Sequence, residues 1–267
     1  MDTENTGAGA MAMGMVMGTD MVPGRRKMGS ALEIIDIHTH VLPGIDDGAQ
    51  TWDMSMQMLR MSWDNGVRRV IATPHYLPWE RQVHPDRIRE MCLEAGQRFS
   101  EQFGLQMTVC PGEELYYYSD LLSDLQTGKA MTMNDTSCVL VEFGVMVQYK
   151  DLLHAVQKLQ RGGYRVILAH YERYGALRQK GRIEELLDYD VILQSNLDAA
   201  DGGYFDSQAR RIRRDYKKGN ICFSASDMHN VTTRPPIGSR GIKHLAGFLK
   251  EEEIRQVLFE NAARILM

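Results

Sequence analysis

The sequence predicts an α/β fold: a parallel sheet closed or distorted into a barrel. Three observations point there. From residue 31 onward, seven short apolar runs alternate with segments of helical period, which calls for parallel strands joined by right-handed crossovers. No Gly-x-Gly-x-x-Gly fingerprint follows the first run, so an open dinucleotide-binding sheet loses ground. No Pro/Gly/Ser-rich linker divides residues 31–267, which therefore read as one domain.

Taken in order, the strand-like runs are Leu32–Ile37, Val67–Thr73, Leu105–Cys110, Cys138–Glu142, Arg165–Ala169, Asp190–Gln194 and Asn220–Ala225. Each is a short, mainly apolar run that leads into a polar ending. Between them lie the helical stretches Thr51–Asn65, His84–Phe103, Tyr118–Gln126, Tyr149–Arg161, Arg182–Leu187 and Ser207–Lys217. Stop signals fall where helices should end, at Asn65-Gly66 and Gly162-Gly163. A helical pair near Ile242–Leu249 and Glu251–Ile265 closes the chain.

Residues 1–30 are different. They are rich in Met and Gly, lack periodicity, and read as a disordered leader, with Met21 or Met28 as alternative starts. Residues 7–18 superficially suggest the apolar core of a signal peptide. Asp2 and Glu4 precede that run instead of basic residues, and four glycines interrupt it.

Composition excludes several classes. A net charge of −4 leaves no electrostatic footprint for nucleic acid. No apolar run approaches the ~20 residues that membrane insertion requires. The four cysteines form no Cys-x-x-Cys pair and read as buried, reduced thiols, which fits a cytoplasmic protein. Cys92 and Arg98 match the Cys-x5-Arg spacing of thiol-dependent tyrosine phosphatases. That chemistry needs a phosphate-cradling loop and a depressed thiol pKa. Cys92 instead lies in a helix-period stretch with Met91, Leu93 and Phe99, so the match reads as coincidence.

In a barrel of this kind the active site lies at the C-terminal ends of the strands. The first run leads into His38-Thr39-His40, and residues two apart on an extended segment point the same way. His75 follows the second run, Glu113 and Glu114 the third, and Glu142 ends the fourth. His170 follows the fifth, Asn196 the sixth, and Asp227-Met228-His229 the seventh, with Asp46 and Asp47 in the first loop. Five histidines with four carboxylates exceed what one ion needs and imply two or three. Nitrogen and oxygen donors without thiolate suit Mn, Fe or Zn. His84, His154 and His244 fall in or near helices and read as ordinary residues.

The segments DIHTHVLPGIDDG, TPHY, GEELYY, VEFG, AHYERY and ASDMHNVTTRPP resemble the PHP (polymerase and histidinol phosphatase) superfamily. They are most similar to the bacterial manganese-dependent tyrosine-protein phosphatases of capsule and exopolysaccharide clusters. The resemblance spans roughly residues 34–240 and implies a distorted seven-stranded (β/α) barrel of PHP type. It implies the metal ligands His38, His40, Asp47, His75, Glu114, Glu142, His170, Asp227 and His229, with Glu114 preferred over Glu113. Arg173 and Arg234 match residues that hold the substrate phosphate, a task that guanidinium forks suit. Tyr76, Trp79, Tyr116 and Tyr117 offer rings that could line the substrate site or belong to the core. The implied substrate is a tyrosine-phosphorylated protein, in particular the C-terminal tail of a kinase that controls polysaccharide export. The runner-up is a small-molecule phosphatase such as histidinol-phosphate phosphatase. An amidohydrolase would add a carbamylated Lys at a strand end, and none of these strand ends offers one.

Overall fold

The structure, a computed structural model, describes residues 33–266 apart from 81, 204 and 237. The expected leader, residues 1–30, lies outside the described residues. Strands β1 (Ile34–Thr39) and β2 (Val67–Ala72) start the fold, followed by β3 (His75–Tyr76), β4 (Thr108–Pro111) and β5 (Glu114–Tyr116). Then come β6 (Cys138–Glu142), β7 (Arg165–Leu168), β8 (Ile192–Asn196) and β9 (Ile221–Ala225). Every pairing is parallel, in a three-stranded sheet β1-β2-β4 and a six-stranded sheet β3-β5-β6-β7-β8-β9.

The described residues thus hold nine strands where the sequence suggested seven. The two additions come from breaks. Pro74 has no N–H to give to a ladder, so the second run stops at Ala72 and restarts at His75. After β4 the chain passes Gly112, where an added Cβ would lie 3.0 Å from Ile71 Cγ2 and 3.1 Å from Met133 Sδ, and it restarts at Glu114. Both restarts open on a candidate ligand. The first and last strands come together past their ends, where Asp227 N donates to His38 O and His40 N to Met228 O, each at 2.9 Å.

Most helices match their expected spans. Helix α1 (Trp52–Asp64) is capped by the Thr51 hydroxyl. Helix α2 (Pro85–Phe103) opens on proline and ends at Gly104, whose φ of 65° is the left-handed turn that glycine adopts freely. Helix α3 (Leu121–Gln126) starts three residues later than expected: Leu121 N closes a turn on Tyr118 O, and the first helical bond runs from Asp124 N to Asp120 O. Helices α4 (Tyr149–Arg161), α5 (Arg182–Asp188), α6 (Ser207–Lys217) and α7 (Ser239–Ala246) follow. The last expected helix is interrupted: α8 (Glu251–Arg255) and α9 (Asn261–Ile265) flank a π turn at Gln256–Glu260.

Alternation along the strands sorts the core. Val139 and Val141 of β6, with Val166 and Leu168 of β7, join the larger apolar cluster that the helices cover. Cys138, Leu140 and Ile167, the residues between them, join a second cluster with Ile35, Ile37, Ile71 and Phe223. Ala262 of α9 and Leu266 complete that second cluster, and Asn261 Nδ2 donates to Cys222 O at the start of β9 (2.8 Å). The opposite, C-terminal strand ends are left to the polar residues described next. No helix among the described residues is long and apolar enough to cross a membrane.

Candidate metal centre

His38 and His40 leave β1 on the same side, as two residues apart on an extended chain must. Their Nε2 atoms are 3.3 Å apart and both residues are buried. Glu114 Oε2 lies 3.1 Å from His38 Nε2 and 3.3 Å from His40 Nε2. Asp227 Oδ1 lies 3.4 Å and 3.5 Å from the same two nitrogens. These four residues form one group with ligand atoms within 4.8 Å of one another. His40, Asp47, His75 and His229 form a second group, and His75, Glu114 and Glu142 a third, by the same measure. His40, His75 and Glu114 are each shared between two groups. His170 belongs to none of the three, but its Nε2 lies 2.8 Å from Glu114 Oε1 and 3.7 Å from Glu142 Oε2. All nine expected residues are therefore gathered at one place.

Backbone detail delivers them. His170 and Asp227 have φ of 29° and 52°, the left-handed region that non-glycine residues seldom occupy. In the first loop a Cβ on Gly48 would lie 2.2 Å from His40 O and 2.5 Å from His40 Cβ. Only glycine lets this loop fold back onto β1 and bring Asp47 beside His229, at 3.2 Å.

The electrostatics show what the cluster wants. Burial works against charge on Glu114 and Asp227, yet the facing imidazoles hold both carboxyls well below the usual range. Burial also pushes His38 and His40 down, but carboxylates outweigh it and raise both. For His75, burial opposes and the nearby carboxylates of Glu114 and Glu142 prevail, carrying the ring to about 10. Buried carboxylates of this kind demand positive charge, which protons or cations can supply. Divalent ions fit the geometry better than protons do. His75 Nδ1 is 3.1 Å from Glu114 Oε2, and His229 Nε2 is 3.2 Å from Asp47 Oδ1, yet neither nitrogen is aligned for a hydrogen bond. Lone pairs that converge without pairing are what a coordination sphere requires.

Two guanidinium groups reach the same carboxylate. Arg173 Nη2 lies 2.6 Å from Asp227 Oδ2 and Arg234 Nη2 lies 2.7 Å from Asp227 Oδ1. Asn196 Nδ2 also donates to Asp227 Oδ2, at 2.8 Å. Arg173, Asn196, Asp227 and Arg234 line a cleft of about 620 Å³, with Pro235 and Pro236. The expected phosphate-contacting residues thus stand beside the metal groups and open to solvent.

The aromatic residues divide. Tyr76, expected at the substrate rim, is 3% exposed, and its hydroxyl donates to Asp124 Oδ2 at 2.6 Å. It follows His75 directly in β3, and successive side chains of a strand point to opposite faces, so both cannot face the centre. Tyr116 is two residues from Glu114, shares its face, and packs edge-on against the exposed Trp79, centroids 4.7 Å apart. Tyr117 turns inward against Phe143 (5.2 Å). Glu113 points away from the centre and accepts from Met131 N at 2.7 Å; burial pushes its carboxyl up to about 8.

Three residues matter here that sequence reasoning gave no role. Asp46 lies 2.7 Å from His40 Nδ1. Gln194 accepts from His170 N (2.7 Å), lies 3.1 Å from His38 Nδ1 and donates to Asn196 Oδ1 (3.0 Å). Asn196 was visible only as a polar strand end. An uncharged polar residue at the end of the sixth apolar run was the one signal for Gln194. The remaining histidines are ordinary, as expected: His84 caps α2, His154 is exposed, and His244 Nε2 lies 2.8 Å from Ala200 O. The cysteines are free; Cys92 is buried within α2, and burial pushes its thiol up, away from a nucleophile's range.

The chain is similar to known proteins over most of its length. The tyrosine-protein phosphatase CpsB of Streptococcus agalactiae is 31% identical over 243 residues, covering 87% of this chain and 98% of that protein. The tyrosine-protein phosphatase YwqE of Bacillus subtilis is 31% identical over 204 residues, covering 75% and 79%. A solved structure from work on YwqE and on CpsB of Streptococcus pneumoniae, described as unique metal-dependent tyrosine phosphatases, superposes with a TM-score of 0.77. It is 30% identical and covers 87% of this chain and 94% of its own. Residues 34–267 match the family described as capsular polysaccharide synthesis, CpsB/CapC, and the chain belongs to that family.

Proposed function

We propose that this protein is a metal-dependent protein-tyrosine phosphatase. The observation that carries the reading is a set of three metal-suited groups, linked by His40, His75 and Glu114, one of which includes the Asp227 carboxylate that Arg173 and Arg234 also reach. The names of the relatives supply the substrate. His38, His40, Asp47, His75, Glu114, Glu142, Asp227 and His229 would hold two or three ions, with His170 as a further ligand beside Glu114. Manganese is the metal we assign, with iron or zinc as substitutes that the same donors accept. When bound, such ions polarise a phosphate and acidify water.

The chain's own residues do the rest. Arg173 and Arg234 take the phosphate oxygens through their guanidinium forks. Asn196 fixes Asp227 between them. Tyr116 and Trp79 offer an aromatic edge to the substrate's phenyl ring. A phenolate leaves readily enough that no general acid is required of the protein.

Several finer assignments belong to the same reading. The broken runs at β2/β3 and β4/β5 count as one strand each in a distorted seven-stranded barrel of PHP type. Residues 31–267 carry the activity, so removal of residues 1–30 should leave it intact. The physiological substrate is a phosphorylated kinase tail of capsule or exopolysaccharide synthesis, met in the cytoplasm. The test is kcat/KM with manganese for phosphotyrosine peptides, phosphoserine peptides and histidinol phosphate. Phosphotyrosine peptides should be the best substrates. If histidinol phosphate is preferred tenfold, a small-molecule phosphatase replaces this reading.

A further inference from the structure

Asp46 contributes no atom to any of the three metal groups, yet its carboxylate is the most heavily used acceptor in the first loop. Oδ2 lies 2.7 Å from His40 Nδ1 and accepts from His75 N at 3.0 Å, while Oδ1 accepts from Gly48 N at 2.9 Å. Its side chain is 6% exposed. One carboxylate therefore ties together β1, the first loop and the restart at β3. His40 and His75, the residues it holds, are each shared by two metal groups.

We infer that Asp46 is the positioning residue for the His40–Asp47–His75–His229 group, and that without it this group is the one that fails to retain its ion. The inference rests on the reading of the cluster as a metal centre. With Nδ1 of His40 engaged by Asp46, Nε2 is the nitrogen left to face a metal. The backbone bond to His75 fixes where β3 begins, and so where the second imidazole starts. Asp47 is the next residue in the chain, so the same carboxylate sets its approach. Three of the four members of this group thus depend on Asp46, while each other group has one such member. The other groups also draw on side chains locked in the interior: Glu114 and Asp227 are each 1% exposed, whereas the side chain of Asp47 is 65% exposed. The group that relies most on Asp46 is also the one with the least support of its own.

The isosteric variant Asp46→Asn is discriminating because all three groups facing Asp46 can act as donors. An amide has one accepting oxygen and one donating nitrogen. Whichever way it turns, it opposes an N–H with an N–H, either at Gly48 or at His75. In the second orientation it also forces His40 into the tautomer that presents Nε2–H to the ion.

The experiment is a manganese titration of full-length protein by equilibrium dialysis, with bound metal counted by atomic emission and melting temperature followed in chelator. Wild type should show stepwise binding. Asp46→Asn should weaken the weakest step about 10- to 100-fold, the usual cost of losing the hydrogen-bond partner of a metal-ligating histidine, and keep the tighter steps. Asp47→Asn should weaken that same step, and kcat for phosphotyrosine peptide should fall in both variants with KM little changed. Asp46→Ala, lacking all three acceptors, should be at least as severe. The inference is overturned if Asp46→Asn titrates like wild type, if all steps weaken together, if Asp46→Ala retains the step, or if wild type binds no divalent ion. A wild-type protein that binds manganese as described but leaves phosphotyrosine untouched sinks the proposed function and leaves the role of Asp46 standing.

Discussion

Replacing Arg173 or Arg234 by alanine separates binding of the phosphate from assembly of the metal centre. Each guanidinium makes one close contact with Asp227, at 2.6 and 2.7 Å. Their side chains are 40% and 36% exposed, so solvent screens part of what each contributes. A hydrogen bond to a charged group is worth roughly 1.5–3 kcal/mol, and the exposure argues for the lower end, about 1.5 kcal/mol. That corresponds to about tenfold in kcat/KM for each single variant. The two side chains share one partner and one phosphate, so their effects should not add, with a coupling of at least ~0.5 kcal/mol in the double variant. Asp227 keeps Asn196 and the other arginine after either single change, so bound manganese should be unaltered. The assay is steady-state hydrolysis of a phosphotyrosine peptide with metal content measured on the same samples. Single variants that lose metal along with activity, or that match wild type, would refute the assignment of these residues to the phosphate.

Three further outcomes are expected. Chelation should abolish activity and manganese restore it, while Cys92→Ala remains active, since that thiol is buried in α2; a dead Cys92→Ala with harmless chelators would point to thiol chemistry instead. Gly48→Ala places a methyl 2.2 Å from His40 O, an overpacking that costs about 1–3 kcal/mol, so the melting temperature and metal affinity should drop together; an unchanged melting temperature would contradict the close approach. Trp79→Ala should raise KM for phosphotyrosine peptides but not for inorganic phosphate as an inhibitor, because the exposed Trp79–Tyr116 pair lies outside the arginine contacts. Equal effects on both ligands would show that the pair does not face the peptide.

The candidate metal-binding residues were legible in the sequence because most of them stand at or just after strand ends, where the motifs of the resembled family also fall. His38 and His40 lie two apart at the end of β1, where one face is enough to bring them together. Tyr76 was not, although the same rule applies to it. Its neighbour His75 faces the centre, so Tyr76 cannot, but this argument needs to know that β3 resumes at His75 after Pro74. Without the break, His75 reads as loop and its neighbour's direction is open. Asp46 and Gln194 were hidden for another reason. Their bonds reach His75 and His38, at 29 and 156 positions' remove, and no local pattern records a partner so distant. Residues of the candidate metal groups were therefore readable from type and position, while those that hold them in place depended on how the chain closes.

The left-handed backbone at His170 and Asp227 has a consequence for how this enzyme can change. Such a conformation costs an ordinary residue roughly 1–2 kcal/mol, and two of them sit just past the C-terminal ends of β7 and β9, parallel strands of one sheet. Glycine or asparagine would accept that backbone at less cost but could not replace the imidazole or the carboxylate. Heat tolerance and activity are therefore set against each other at these two positions. A library selected only for survival at high temperature should enrich Asp227→Asn and His170→Gly, and those survivors should be sturdy and inert.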